Sequence, residues 1–146
     1  MHPKRMARIL FGEAALVLRK IVPLPKDPQS PALARRSVEE VIAAAGVANA
    51  EKNDLVIIAS ELVTNAIAHG SGPVTLSVSC EDSEITVEVS DGDPRVELID
   101  MRPVDATAVG GRGLRIVAAL ADRWGTRRSH RGKTVWATKA VRLASR

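Results

Sequence analysis

Aromatic residues are scarce in this 146-residue chain: one Phe, two Trp and no Tyr, 2% of the total. Proteins that hold single-stranded nucleic acid stack successive bases on aromatic rings, so the scarcity argues against such a platform. Cysteine is almost missing as well. The lone Cys80 excludes an internal disulfide and a cysteine-rich metal site, and a reducing cytoplasm fits. No apolar run approaches the roughly 20 residues of a membrane span. The stretch Ile9–Leu18 is apolar after a basic start, but Glu13 interrupts it and no small-residue cleavage site follows, so a secretory signal is not expected.

One further absence is local. Residues 123–146 contain eight Lys or Arg and no acid. Residues 1–26 hold six cations against one acid, and residues 27–122 hold seven cations against sixteen acids, so the net +4 conceals basic ends around a middle of −9. Basic ends can meet nucleic acid. They can equally be solvated tails and strand edges, where Lys and Arg discourage edge pairing. Without interleaved aromatics the second reading is preferred. What is present is ordinary for one globular domain: 45% hydrophobic and 26% charged residues, in a chain long enough for a real core.

The most informative segment is Ser60-Glu61-Leu62-Val63-Thr64-Asn65-Ala66-Ile67-Ala68-His69-Gly70. Glu61, Asn65 and His69 stand four apart, so a helix stacks them on one face. Leu55, Ile58, Leu62 and Ala66 form a neighbouring apolar stripe at 3.6 periodicity. An acid, an amide and an imidazole beside a core stripe are poor packing material. They suit a magnesium–phosphate site, because an amide oxygen can ligate Mg²⁺ and a carboxylate can act as general base.

The rest of the chain organises around that helix. Leu16–Leu24 reads as a strand, followed by Pro-rich punctuation. Ser30-Pro31 suits the N-cap and N1 of a helix that Gly46 stops. Asn49 or Asn53 can open the second helix, which Gly70 ends. Val74–Ser79 and Ile85–Val89 alternate as half-buried antiparallel strands, with a hairpin at Glu81-Asp82-Ser83. The irregular stretch from Asp91 to about Val109 is long enough to be a functional lid. A helix is expected near Gly113–Ala121, then strands Arg123–Ser129 and Thr134–Ala140 joined at Arg131-Gly132. Helices over one face of a mixed or antiparallel sheet make an α+β two-layer sandwich.

Three clusters bear on chemistry. Asp91-Gly92-Asp93-Pro94 follows a strand; its aspartate can accept a hydrogen bond from an exocyclic amine, though Asp-Gly by itself is a common turn pair. Gly110-Gly111-Arg112-Gly113-Leu114 opens a helix and can turn backbone N–H groups toward an anion; it also suits a hinge. In Gly132-Lys133-Thr134 the threonine can offer a hydroxyl, or simply start a strand.

Taken in order, these pieces resemble the GHKL (Bergerat-fold) ATPases. Glu61-x-x-x-Asn65 resembles the N box, Asp91-Gly92 the first glycine box, Gly111-Arg112-Gly113-Leu114 the second, and Gly132-Lys133-Thr134 the last adenine-side element. Glu-Leu-Val-Thr-Asn-Ala-x-x-His, Gly-Arg-Gly-Leu and Asp-Arg-Trp-Gly are most similar to the small stand-alone branch of anti-sigma-factor serine/threonine kinases. The first glycine box departs from Asp-x-Gly-x-Gly, since Asp93 and Pro94 follow Gly92.

The resemblance implies a Bergerat-fold domain over residues 16–140 with a lid at about 92–112, an N-terminal extension 1–15 and a basic tail 141–146. It implies ATP and Mg²⁺ as ligands. Glu61 becomes the general base and Asn65 the Mg²⁺ ligand. Asp91 and Gly92 serve the adenine, with Thr134 on the same side, and Gly111, Arg112, Gly113 and Leu114 serve the phosphates; His69 has a supporting part. The implied protein is a cytoplasmic regulator that phosphorylates a serine of a STAS-type anti-anti-sigma protein, sequesters a sigma factor, or both. The alternative is an ATP-gated protein-binding module without phosphoryl transfer. Neither reading involves a membrane, nucleic acid is disfavoured, and a homodimer is left open.

Overall fold

The computed structural model describes residues 5–11, 15–48, 51–93 and 112–143, and the side chains among them from residue 17 on, except 112 and 113. Along the chain come β1 (Arg5–Phe11), β2 (Ala15–Leu24), α1 (Ser30–Ala45), α2 (Lys52–His69), β3 (Val74–Glu81), β4 (Glu84–Asp91), α3 (Arg112–Leu120), β5 (Arg123–Ser129) and β6 (Gly132–Ala140). Among the described residues six strands form one sheet in the order β1-β2-β3-β4-β6-β5, and every neighbouring pair is antiparallel. The helices pack on one face, so the expected two-layer α+β sandwich is what forms. A strand, β1, also forms within the N-terminal extension, pairing Arg5 with Ile21 through Phe11 with Ala15.

The core between the layers follows from two periodicities. α1 buries Ala34, Val38, Val41 and Ile42, and α2 buries Leu55, Ile58, Ala59, Leu62, Val63 and Ala66. β3 and β4 alternate strictly, presenting Val74, Leu76, Val78 and Cys80 beside Ile85, Val87 and Val89. Each fully buried Val, Leu or Ile contributes about 1.5–3 kcal/mol relative to exposure. Burial pushes the Cys80 thiol pKa up, so it behaves as a small apolar residue. No described helix is long and apolar enough to cross a membrane.

Local signals are honoured, with two corrections. Gly46 stops α1 with φ +71°; its N–H bonds to Ala43 O and that of Val47 to Ile42 O, the paired bonds of a Schellman motif. Ser30, however, is not the cap. It is the first helical residue, and its hydroxyl donates to Pro25 O at 2.5 Å, tying the helix start to the end of β2. α2 opens at Lys52 after Glu51, with Asn53 already inside its first turn.

The β3–β4 turn is Asp82-Ser83, with φ of 51° and 60°, a two-residue I′ hairpin. A non-glycine residue in the left-handed region costs roughly 1–2 kcal/mol, partly returned by the greater unfolded-state entropy of glycine. Ser83→Gly is therefore expected to stabilise the domain by about 0.5–1 kcal/mol, read as a rise in the thermal midpoint.

The charge asymmetry also finds its place. Among the described residues, at least five cations of residues 123–146 pair with acids of the middle segment: Arg123 with Glu84, Arg127 with Glu88, Lys133 with Asp91, Lys139 with Asp54 and Arg142 with Glu51. The first two reach across β6 on the open face of the sheet, above the buried Thr134 and Thr138. The basic end is thus largely spent on the domain's own acids, on β4 and at the start of α2.

Candidate functional site

The site lies where the C-terminal half of α2 crosses the ends of β4 and β6. Leu62, Asn65, Ala66 and His69 from α2, Val89 and Asp91 from β4, and Lys133 and Val135 from β6 line a small hollow of about 10 Å³. That is room for about one water. The hollow is apolar at its middle and charged at one end.

Asp91 forms the charged end. Its side chain is only 2% exposed, and that of Lys133 is 4% exposed. Lys133 Nζ stands 3.0 Å from both carboxylate oxygens and 3.3 Å from Asp93 O. Oδ1 also accepts the Asp93 backbone N–H at 2.7 Å, an Asx-type turn that fixes the chain leaving β4.

Two glycines make this convergence of elements sterically feasible. A Cβ on Gly132, whose φ is +149°, would lie 1.9 Å from Asp91 O; a Cβ on Gly70 would lie 2.6 Å from Asp91 Cγ. Any side chain at either position would push β6 or the end of α2 off the carboxylate. Gly92 joins the same corner by donating its N–H to Ser71 O at 2.5 Å.

The polar row on α2 is as expected from its spacing. Glu61 and Asn65 are half-buried, His69 at the helix end is exposed, and none of the three makes a hydrogen bond or ion pair with a described residue. Half-buried polar groups usually find partners. An acid and an amide without a partner among the described residues stand on one helix face, above a hollow that ends in a buried carboxylate.

The sequence-derived candidates divide accordingly. Asn65, His69 and Asp91 come together around the hollow, with Glu61 one turn up the same helix; Gly92 follows Asp91 and does not line it. Thr134 does not join them. It pairs with Ser90, and their hydroxyls bond at 2.7 Å on the face of the sheet opposite the helices. Successive strand residues point to opposite faces, so with Lys133 inward Thr134 must point outward. Leu114 is 2% exposed and packs in the core. Arg112 and Gly113 open α3; Gly111 and residues 94–111 of the expected lid lie outside the described residues.

Lys133 is the residue that sequence reading passed over. Its signal was its place directly after Gly132, but a lone lysine at a strand start says nothing of which face it takes.

The family model for histidine kinase-like ATPase domains matches residues 24–139, well over half of the chain. The chain belongs to the histidine kinase-like ATPase domain family. Family membership implies an ATP-binding domain, and the matched span contains the whole hollow. The fold is also similar to the crystal structure of the RsbU and RsbW domains of Rv1364c from Mycobacterium tuberculosis, with a TM-score of 0.64 at 18% identity. The likeness covers 87% of this chain but 34% of that one, so the chain spans about a third of the other's length. No curated protein gives a significant match.

Proposed function

We propose that this histidine kinase-like ATPase domain is an ATP-dependent, cytoplasmic anti-sigma-type regulator that transfers phosphate to a serine of a STAS-type partner, holds a sigma factor, or both. The observation that carries the reading is the unspent Glu61–Asn65 row on α2, leading down to the buried Asp91 in a chain of this family. The wording of α2, which resembles the stand-alone anti-sigma branch, supports the choice of partner class.

The donor set fits Mg²⁺ and ATP. Among the described residues no three His, Cys, Asp or Glu stand together as a metal cage. Mg²⁺ beside phosphates usually needs only one or two protein ligands, and the Asn65 amide oxygen can be one. Asp91, at the other end of the hollow, offers a carboxylate to a base amine. Bound nucleotide supplies the transferable phosphoryl group. Glu61, one helical turn from Asn65, takes the proton of the partner's serine hydroxyl on its carboxylate, and the apolar floor of Leu62, Ala66 and Val89 keeps water from the base.

Two measurements test this. Titration with ATP, with and without Mg²⁺, reads binding; transfer of labelled phosphate to a serine-bearing antagonist reads chemistry. Asn65→Ala is expected to abolish the tightening of ATP binding by Mg²⁺ while leaving metal-free binding unchanged. Equal Mg²⁺ dependence in the variant assigns Asn65 to structure.

One observation favours a second reading, a nucleotide-gated protein-binding module without transfer. Asp93 and Pro94 follow Gly92 where the first glycine box usually has further glycines, which bears on lid closure and hence on turnover. ATP-dependent partner binding with no labelled serine at any partner concentration selects that reading.

A further inference from the structure

The Asp91–Lys133 pair does more than neutralise a buried charge. We propose that Lys133 closes the base end of the nucleotide site: its ammonium occupies the carboxylate that a base amine needs, and nucleotide binds only when Lys133 has left Asp91. This rests on reading the hollow as an adenine nucleotide site.

Three observations carry it. First, Asp91 has little to offer as it stands. Both oxygens lie 3.0 Å from Nζ, and Oδ1 already accepts the Asp93 N–H. An amine arriving from a base has to compete with an ammonium, a stronger donor in a nearly dry site. Second, the hollow between the described residues is small. The hollow is about 10 Å³, whereas pockets for small organic ligands run to about 300–1,000 Å³. Lys133 is one of the side chains that line it, so its departure enlarges the space where a base would sit.

Third, the lysine has somewhere to go. Lys133 is the second residue of β6, next to the β5–β6 turn, and His130 and Arg131 of that turn are exposed. A four-carbon stem beginning there can carry its charge to solvent. Intermediate positions are disfavoured, because an ammonium that is buried and unpaired pays for desolvation with no return. The side chain therefore has two stable arrangements, on Asp91 or in water. A nucleotide that binds only the second shifts the population toward it.

Stability alone is a poor account of the pair. Taking two charges out of water offsets most of their attraction, and apolar replacements of such pairs are often neutral or better. A lysine opposite the base carboxylate is explained by what it withholds.

The test is a titration of wild type, Lys133→Thr and Lys133→Gln with ATP and ADP, each protein checked by thermal melting. If the released state is at most about 10% populated, freeing Asp91 lowers the apparent Kd by at least about tenfold in Lys133→Thr, with a smaller gain in Lys133→Gln, whose neutral amide is a weaker competitor. Binding by the threonine variant where wild type shows none is the same result in stronger form. Unchanged or weaker binding in the folded variants overturns the proposal and makes Lys133 a support for the site. If neither wild type nor any folded variant binds ATP or ADP, the nucleotide reading itself fails, and the closure with it. Should Lys133→Thr not fold, Lys133→Gln decides by the same direction of change.

Discussion

Glu61→Gln is expected to suppress phosphate transfer to a serine by about 10²–10⁴-fold while ATP affinity barely moves. The substitution keeps size and hydrogen-bonding capacity and removes only the basic carboxylate. Glu61 is half-buried on α2 and makes no ion pair with a described residue, so its loss strands no partner among them. The core stripe beneath it, Ile58, Leu62 and Ala66, is untouched. In the proposed site, adenine recognition falls to Asp91, beyond the last turn of the helix. The two effects are therefore separable: chemistry falls, binding and melting stay. A fall in thermal midpoint with transfer intact would make Glu61 a helix-stabilising residue instead.

Asp91→Ala is expected to act on both binding and stability. A hydrogen bond to a charged group contributes about 1.5–3 kcal/mol, so adenine nucleotide affinity drops by about 10- to 150-fold relative to a protein freed of the lysine, and by less relative to wild type, in which Lys133 already competes for the carboxylate. The same change leaves the Lys133 ammonium, 4% exposed, without its counter-ion. Removing one partner of a buried pair typically costs about 3–5 kcal/mol, less here to the extent that Lys133 escapes to solvent. The double variant Asp91→Ala/Lys133→Met separates the two consequences. It removes the stranded charge, so most of the stability returns, while nucleotide binding does not. Affinity in the double variant equal to that of Lys133→Met alone would take Asp91 out of the site.

Much of this molecule was legible before its fold. The stripe of Leu55, Ile58, Leu62 and Ala66 and the row of Glu61, Asn65 and His69 share one helix, and a single periodicity describes both. The alternation of β3 and β4 and their Asp82-Ser83 turn were equally plain, since strand parity and left-handed turn positions are local properties. Ser30 was misread because a cap stands just outside the helix, and here the helix starts at Ser30 itself, whose hydroxyl donates to Pro25 O five residues back.

What sequence alone determined is the inventory: an amphipathic helix with a polar row, two hairpins, glycines at the joints and a carboxylate at the end of a strand. What only the tertiary structure decided is which of those groups face one another. The pairing of β4 with β6, which are separated in the chain by a helix and a strand, sets Asp91 opposite Lys133 and Ser90 opposite Thr134. Gly132, Lys133 and Thr134 are all buried, so no alternation of apolar and polar residues reveals which of them points inward. A shift of one residue in register exchanges the two faces of a strand, and the register here brings Gly132 so close to the backbone of Asp91 and Gly92 that a side chain would not fit. Side-chain parity at a strand end is settled by the partner strand, and that is why the lysine, not the threonine, reaches the site.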